Sequence, residues 1–288
     1  MRYLFIIILF MSFVITSCEK EYIPNKIKQT IVVEGWIENG EFPIVILTKT
    51  LPVSEEFQDV NELENLLIRW AKVTVSDGTN SVVLTGRYDK TYFPPYVYTT
   101  SHLKGEVGKT YSLKVEYNNN VVTAQTTIPA PPIIDRYIIE RKPGANYLYK
   151  IKACFRDNPN EKNYYQFFTK VGNDTNHYIA SVLGSINDEM IQESFEFPVN
   201  RGITIRDYKS YNPYFKEDEE VSVKFAQVDE TSYRFWDAYT KALSLNDNMF
   251  LSPSTSLPTN ICGGTGYWCG YGAVNTPFII GSKQVVVF

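Results

Sequence analysis

The 288-residue chain has only two histidines, His102 and His177, and four cysteines, Cys18, Cys154, Cys262 and Cys269. The histidines lie far apart, and no Asp or Cys arrangement makes either a recognisable base. There is no Gly-x-Ser-x-Gly elbow, no phosphate-cradling loop and no His-Glu-x-x-His helix. No catalytic residue and no cofactor is therefore expected, and the reading is non-enzymatic. A basic stripe is also missing: 28 Lys and Arg face 32 Asp and Glu, for a formal net charge of −4. That balance argues against a nucleic-acid partner. Beyond Ile15 no apolar run approaches the length of a membrane span.

What is present starts at the N-terminus. Arg2, an apolar run from Tyr3 to Ile15 and then Thr16-Ser17-Cys18 are the parts of a secretory signal peptide. The run is too short for a ~30 Å bilayer core. Ile15-Thr16-Ser17-Cys18 resembles the bacterial lipobox, in which the cysteine is acylated after cleavage. The expectation is a signal peptide over residues 1–17 with lipidation at Cys18, against an ordinary signal peptide that happens to contain a cysteine. Residues 18–29, charged and carrying Pro24, read as a tether. Lipid on Cys18 would be the membrane anchor. Glu19-Lys20-Glu21 resembles the acidic stretch that follows the acylated cysteine in surface-exported lipoproteins of Bacteroidota; a plain solvated linker explains it equally well.

The folded part is rich in aromatics, with 21 Tyr, 17 Phe and 4 Trp, and these suit pleated, half-buried surfaces. Asn39-Gly40, Asp77-Gly78-Thr79-Asn80 and Asn118-Asn119-Asn120 each sit between strand-like runs and predict hairpins. An all-β chain follows, with an immunoglobulin-like β-sandwich over residues 30–128. Glu55–Trp70 interrupts the pattern and allows a short helix or lid. Pro129-Ala130-Pro131-Pro132 marks a domain boundary. A β-rich domain over residues 133–288 comes next, with one amphipathic helix near 230–246. Asp229 is its expected N-cap, and Tyr233, Trp236, Tyr239 and Leu243 are its core stripe.

Cys262 and Cys269 flank a Gly-rich stretch whose spacing suits a small disulfide-closed loop in an oxidising compartment. Zinc is the weaker reading, because no further Cys or His lies nearby. Cys154 reads as a buried free thiol. Asp157-Asn158-Pro159-Asn160-Glu161 follows a strand and could be a calcium loop, but it reads better as a hairpin turn. Glu217-Asp218-Glu219-Glu220 reads as a solvated, edge-protecting run. No metal ligand is assigned. Two loops hold the candidate ligand-binding residues. Tyr92, Phe93, Tyr96 and Tyr98 gather around Pro94-Pro95, and Tyr208, Tyr211 and Tyr214 lie in an Asn- and Pro-containing stretch. Aromatic loops on a rigid scaffold can grip a glycan or peptide, or they can simply cover the ends of the sandwich.

Several features together resemble a Bacteroidota lipoprotein family known as domain of unknown function 4249. They are Thr30–Trp36, Asp157 followed by Asn163-Tyr164-Tyr165, and Val221–Val228 leading into the aromatic helix. Pro258-Thr259-Asn260-Ile261 ahead of the Gly-rich Gly263–Gly272 completes the set. Genes for such lipoproteins often lie beside those of TonB-dependent receptors, so the resemblance implies a role in uptake or assembly at the outer membrane. It offers no catalytic residues. Cys262 and Cys269 look like a departure from the family, which would make a disulfide there a local stabiliser. The expectation is a lipid-anchored outer-membrane binding or accessory protein that serves a TonB-dependent receptor in nutrient uptake, with the cell surface the favoured face. The alternatives are a structural or adhesive envelope lipoprotein without a small ligand and, third, a carboxylate-based hydrolase.

Overall fold

The computed structural model describes residues 29–50, 64–145, 147–157, 160–172, 177–187, 189, 195–203, 211–245, 257–281 and 284–287. The signal peptide, Cys18, the tether up to residue 28, residues 55–63 of the expected lid and Tyr208 lie outside the described residues. The first strands are β1 (Ile31–Glu38), β2 (Ile44–Lys49), β3 (Lys72–Ser76), β4 (Ser81–Val83), β5 (Thr85–Tyr88), β6 (Tyr96–Thr99), β7 (Thr110–Tyr117) and β8 (Asn120–Thr127). Past the prolines come β9 (Ile133–Arg141), β10 (Leu148–Arg156), β11 (Tyr164–Val171), β12 (Ile179–Asn187), β13 (Phe195–Val199), β14 (Phe215–Lys216) and β15 (Glu220–Val228). Helix α1 (Glu230–Leu245) precedes β16 (Thr265–Ile279) and β17 (Gln284–Val287). The chain is mainly β, with a single α-helix among the described residues.

Local chemistry accounts for the hairpins. Asn118 and Asn119 both adopt positive φ, 44° and 63°, as the turn between β7 and β8 requires. The Asp77 carboxylate accepts the backbone N–H groups of Thr79 and Asn80, at 3.0 and 2.6 Å, fixing the β3–β4 turn. Asp229 caps α1 as expected: its Oδ1 accepts the Ser232 N–H at 2.7 Å.

The strands form three sheets. An eight-stranded sheet runs β12-β11-β15-β16-β1-β2-β6-β5, a four-stranded one β4-β3-β7-β8, and a five-stranded one is built on β13-β10-β9-β17 with β14 against β10. Side-chain alternation along β16 fixes their layering. Trp268 enters the apolar core shared with the four-stranded sheet, whereas Tyr267, Cys269, Tyr271 and Ala273 point to the opposite side, toward Phe235 and Trp236 of α1. Val274 pairs with Phe225, which belongs to the core under the five-stranded sheet, and Val274 shares the parity of Trp268. The two smaller sheets therefore lie side by side on one face of the large sheet, and α1 lies on the other.

This arrangement revises the expected domain plan. The sandwich over residues 30–128 is not self-contained, because Ile261 and Trp268 belong to its core and β1 pairs in parallel with β16. The prolines carry the chain from one small sheet to the next, directly over two β16 glycines. A Cβ on Gly270 would lie 2.6 Å from the Thr127 carbonyl oxygen, and one on Gly272 would lie 2.1 Å from that of Pro129. Glycine is what lets the crossing backbone approach so closely.

The disulfide reading is also corrected, since Cys262 and Cys269 are both free thiols. The Gly-rich stretch is the start of the longest strand and not a closed loop. Cys262 is exposed and bridges to Thr123, whereas Cys269 is buried facing α1. Cys262 sits against the small sheet on one face of β16 and Cys269 faces α1 on the other, so the two thiols point to opposite sides of the large sheet and cannot meet as a disulfide requires. Cys154 is a buried free thiol.

Candidate functional site

Strand β1 presents two different faces. Ile31, Val33 and Ile37 enter the sandwich core, and Val32, Glu34, Trp36 and Glu38 face the other way into a cleft of about 1700 Å³. The floor of that cleft is the free face of the large sheet: these β1 residues, Ile44 and Ile46 of β2, Lys224 of β15, and Tyr267, Tyr271 and Asn275 of β16. Trp236 and Tyr239 of α1 close one side. His177, Tyr178 and the start of β12 form another, and the loop from Tyr88 to Pro95 forms a rim.

The rim loop is tied down by Asp89. Its Oδ1 accepts the N–H and hydroxyl of Thr91 at 3.0 and 2.6 Å, and its Oδ2 accepts Arg87 at 3.2 Å. Tyr92 is thereby held 6.0 Å from the Trp36 ring and stacked at 5.8 Å on His177. The His177 Nδ1–H donates to the Thr91 carbonyl at 2.7 Å, since a carbonyl oxygen can only accept. Burial lowers the His177 pKa, with the Thr91 bond opposing, so the ring is held neutral.

Two carboxylates line the floor, and their surroundings differ. Glu38 forms a buried ion pair with Lys224 through Oε2, and its Oε1 accepts Asn275 Nδ2 at 3.2 Å. Lys224 also lies 4.3 Å from the Tyr178 ring centroid. Glu34, in register with Tyr267, accepts only the Tyr267 hydroxyl, at 3.0 Å, among the described hydrogen bonds. Burial raises the Glu34 pKa, with the Tyr267 bond opposing. Burial, with Glu34 adding to it, pushes the Tyr239 hydroxyl up to about 12. Trp236 Nε1 donates to the Tyr271 hydroxyl at 3.1 Å, holding the α1 wall to the floor.

A stability consequence follows from Glu34. A carboxyl whose pKa is raised on folding contributes stability that is present below its ordinary pKa and lost as pH rises through the folded value. Glu34→Gln keeps an oxygen for the Tyr267 hydroxyl and removes the charge. The variant should melt above the parent at pH 8, with the gap closing toward pH 4. Thermal melts across that range check the sign, and a gap that does not shrink toward pH 4 would sink it.

The aromatic residues expected to bind ligand divide into groups. Tyr92 and Phe93 line the cleft. Tyr98 does not, which corrects that expectation: it is 2 % exposed in the sandwich core and donates to the Ile68 carbonyl at 2.8 Å. Tyr96 faces the same way, donating to Arg69 O at 3.1 Å and packing on Tyr98 at 5.6 Å. Alternation along β6 turns both hydroxyls to the 68–71 stretch. Tyr211 is occupied by the Arg201 carbonyl at 2.8 Å, and Tyr214 lies 4.3 Å from the Lys142 ammonium, both outside the cleft.

Three carboxylates of the acidic runs are held by partners elsewhere in the fold. Asp157 accepts Asn163 and the Tyr165 hydroxyl, Glu217 accepts Arg141 and Tyr149, and Glu219 pairs with Arg201. Among the described residues no group of three or more His, Cys, Asp or Glu is arranged to hold a metal. Sequence reading missed Glu34, Trp36, Glu38, Lys224 and Tyr267 as site residues. The available signal was β1 itself, where carboxylates and a Trp alternate with Ile and Val on what reads as a buried strand.

The fold and cleft define a β-protein in which one shared sheet supports two smaller sheets on one face and an aromatic-walled cleft on the other. The chain belongs to the family described as Domain of unknown function (DUF4249), whose profile matches residues 19–276. No curated protein matches it.

Proposed function

We propose that this chain is a ligand-binding protein, anchored to the outer membrane through lipid on Cys18, that captures its ligand in the cleft and presents it to a TonB-dependent receptor. The cleft carries the reading. It is a concave site of about 1700 Å³ in which rings from β1, α1, β16 and the rim loop converge with a few fixed polar groups, as small-molecule and peptide sites do. Its walls come from both halves of the chain, so ligand would bridge them. Glu38 has both oxygens engaged by Lys224 and Asn275, which suits binding better than acid–base chemistry.

Thermal shift of the lipidated protein in detergent, against glycan and peptide panels, is the test. A ligand at 100 times its Kd should add about 2.7 kcal/mol, and Trp36→Ala together with Tyr92→Ala should abolish the shift. Absence of any shift across both panels would favour a structural or adhesive envelope role.

A further inference from the structure

We propose that the inner cleft takes a cationic group, the ammonium or guanidinium of a basic peptide, with Glu34 as its anionic partner and Trp36, Trp236, Tyr239 and Tyr267 as its walls. The inference rests on the cleft being a binding site and narrows what it binds.

Charge balance is the first argument. On the inner floor Glu38 and Lys224 neutralise each other, and the Glu34 carboxylate has no cation of its own among the described residues. At the rim, Arg87 is committed to Asp89, and two lysines, Lys49 and Lys90, line the cleft together with two carboxylates, Glu41 and Glu64. Among the described residues the inner cleft is thus one positive charge short. A desolvated carboxylate without a partner is costly, and a ligand cation would remove that cost.

Hydrogen-bonding capacity is the second. A carboxylate offers about four lone-pair sites, and Tyr267 fills one of them, at 3.0 Å. The rest suit a donor-only group such as ammonium or a forked guanidinium.

Ring geometry is the third. Trp236 meets Tyr267 at 4.9 Å with planes 58° apart and Tyr239 at 5.7 Å with planes 84° apart, while Phe235 backs Tyr267 at 4.6 Å. These rings pack against one another, and Trp236, Tyr239 and Tyr267 also line the cleft with Glu34, where their outer faces can meet a cation held by that carboxylate. They do not make the single flat platform on which a sugar ring stacks.

Calorimetric titration of the detergent-solubilised full protein with capped Ala-Arg-Ala, its citrulline counterpart and neutral oligosaccharides tests this. The arginine peptide should bind roughly 10- to 100-fold more tightly than the citrulline peptide. Glu34→Gln should reduce the arginine peptide to the citrulline level, and Glu34→Asp should recover part of the difference. A matching melt for Glu34→Gln at pH 4 shows that the variant is folded. Equal binding of the two peptides, or oligosaccharide binding that Glu34→Gln leaves unchanged, would overturn the cationic assignment and leave the cleft a binding site. Silence in every arm, with no thermal shift in the wider panels, would overturn both.

Discussion

A chain cut after Pro132 should be recovered unfolded, and Trp268→Ala in the intact protein should remove about 3–5 kcal/mol of stability. Both expectations come from the same fact, that the N-terminal sandwich borrows its centre from β16. Trp268 is fully buried, and its Nε1 donates to the Tyr111 carbonyl at 2.9 Å across the core. Strand β1 is shaped to receive it. Gly35 is its register partner, and a Cβ there would lie 2.9 Å from the indole ring. The strand is also clamped from outside the sheet, because Asn260 accepts the Trp268 N–H at 3.0 Å and donates to its carbonyl at 2.7 Å. Truncation to Ala leaves a large cavity and an unpaired buried carbonyl at Tyr111. Against a total of about 5–15 kcal/mol for a domain, that loss is a large share. Urea unfolding followed by circular dichroism measures it. A fragment of residues 29–132 that melts cooperatively, or a Trp268→Ala protein within about 1 kcal/mol of the parent, would show that the sandwich stands alone.

The elements with local signals were legible in the sequence. The three hairpins announce themselves through Asn, Asp and Gly at their turns, and α1 through Asp229 and an aromatic stripe at helical spacing. β16 was not legible, and the reason is physical. Its glycines read as turn formers, but in the fold they admit the backbone at Thr127 and Pro129, which lies more than a hundred residues earlier in the chain. Nothing local encodes the parallel pairing of β1 with β16 either, since it depends on contacts across the length of the protein. The same gap hid most of the site. Tyr92 and Phe93 stood out as loop aromatics, whereas Glu34 and Trp36 looked like the outward residues of an ordinary strand. Only once α1 covers that face do they become the inside of a cleft. Tyr98 misled in the opposite direction: it sits beside a Pro-rich turn but is already on β6, with its ring in the core.

Lys224→Ala should cost about 3–5 kcal/mol, while Lys224→Met combined with Glu38→Gln should lie close to the parent. The pair is almost wholly out of solvent, with side-chain exposures of 8 % for Lys224 and 5 % for Glu38. Lys224 is on β15 and Glu38 on β1, and Asn275 of the intervening β16 is the register partner of Lys224. Asn275 also donates to Glu38 Oε1, so three adjacent strands are joined through one carboxylate. Removing the ammonium alone strands that carboxylate in the cleft floor, where the Asn275 amide is too weak to replace a full charge. Removing both charges avoids the penalty. Methionine fills the lysine stem's space against the Tyr178 ring, and glutamine keeps an oxygen for Asn275. A double-mutant cycle in urea should give a coupling of several kcal/mol between the two positions. If Lys224→Ala and the double variant lose the same stability, the pair is incidental, and the halves of the large sheet are held together by β16 packing alone.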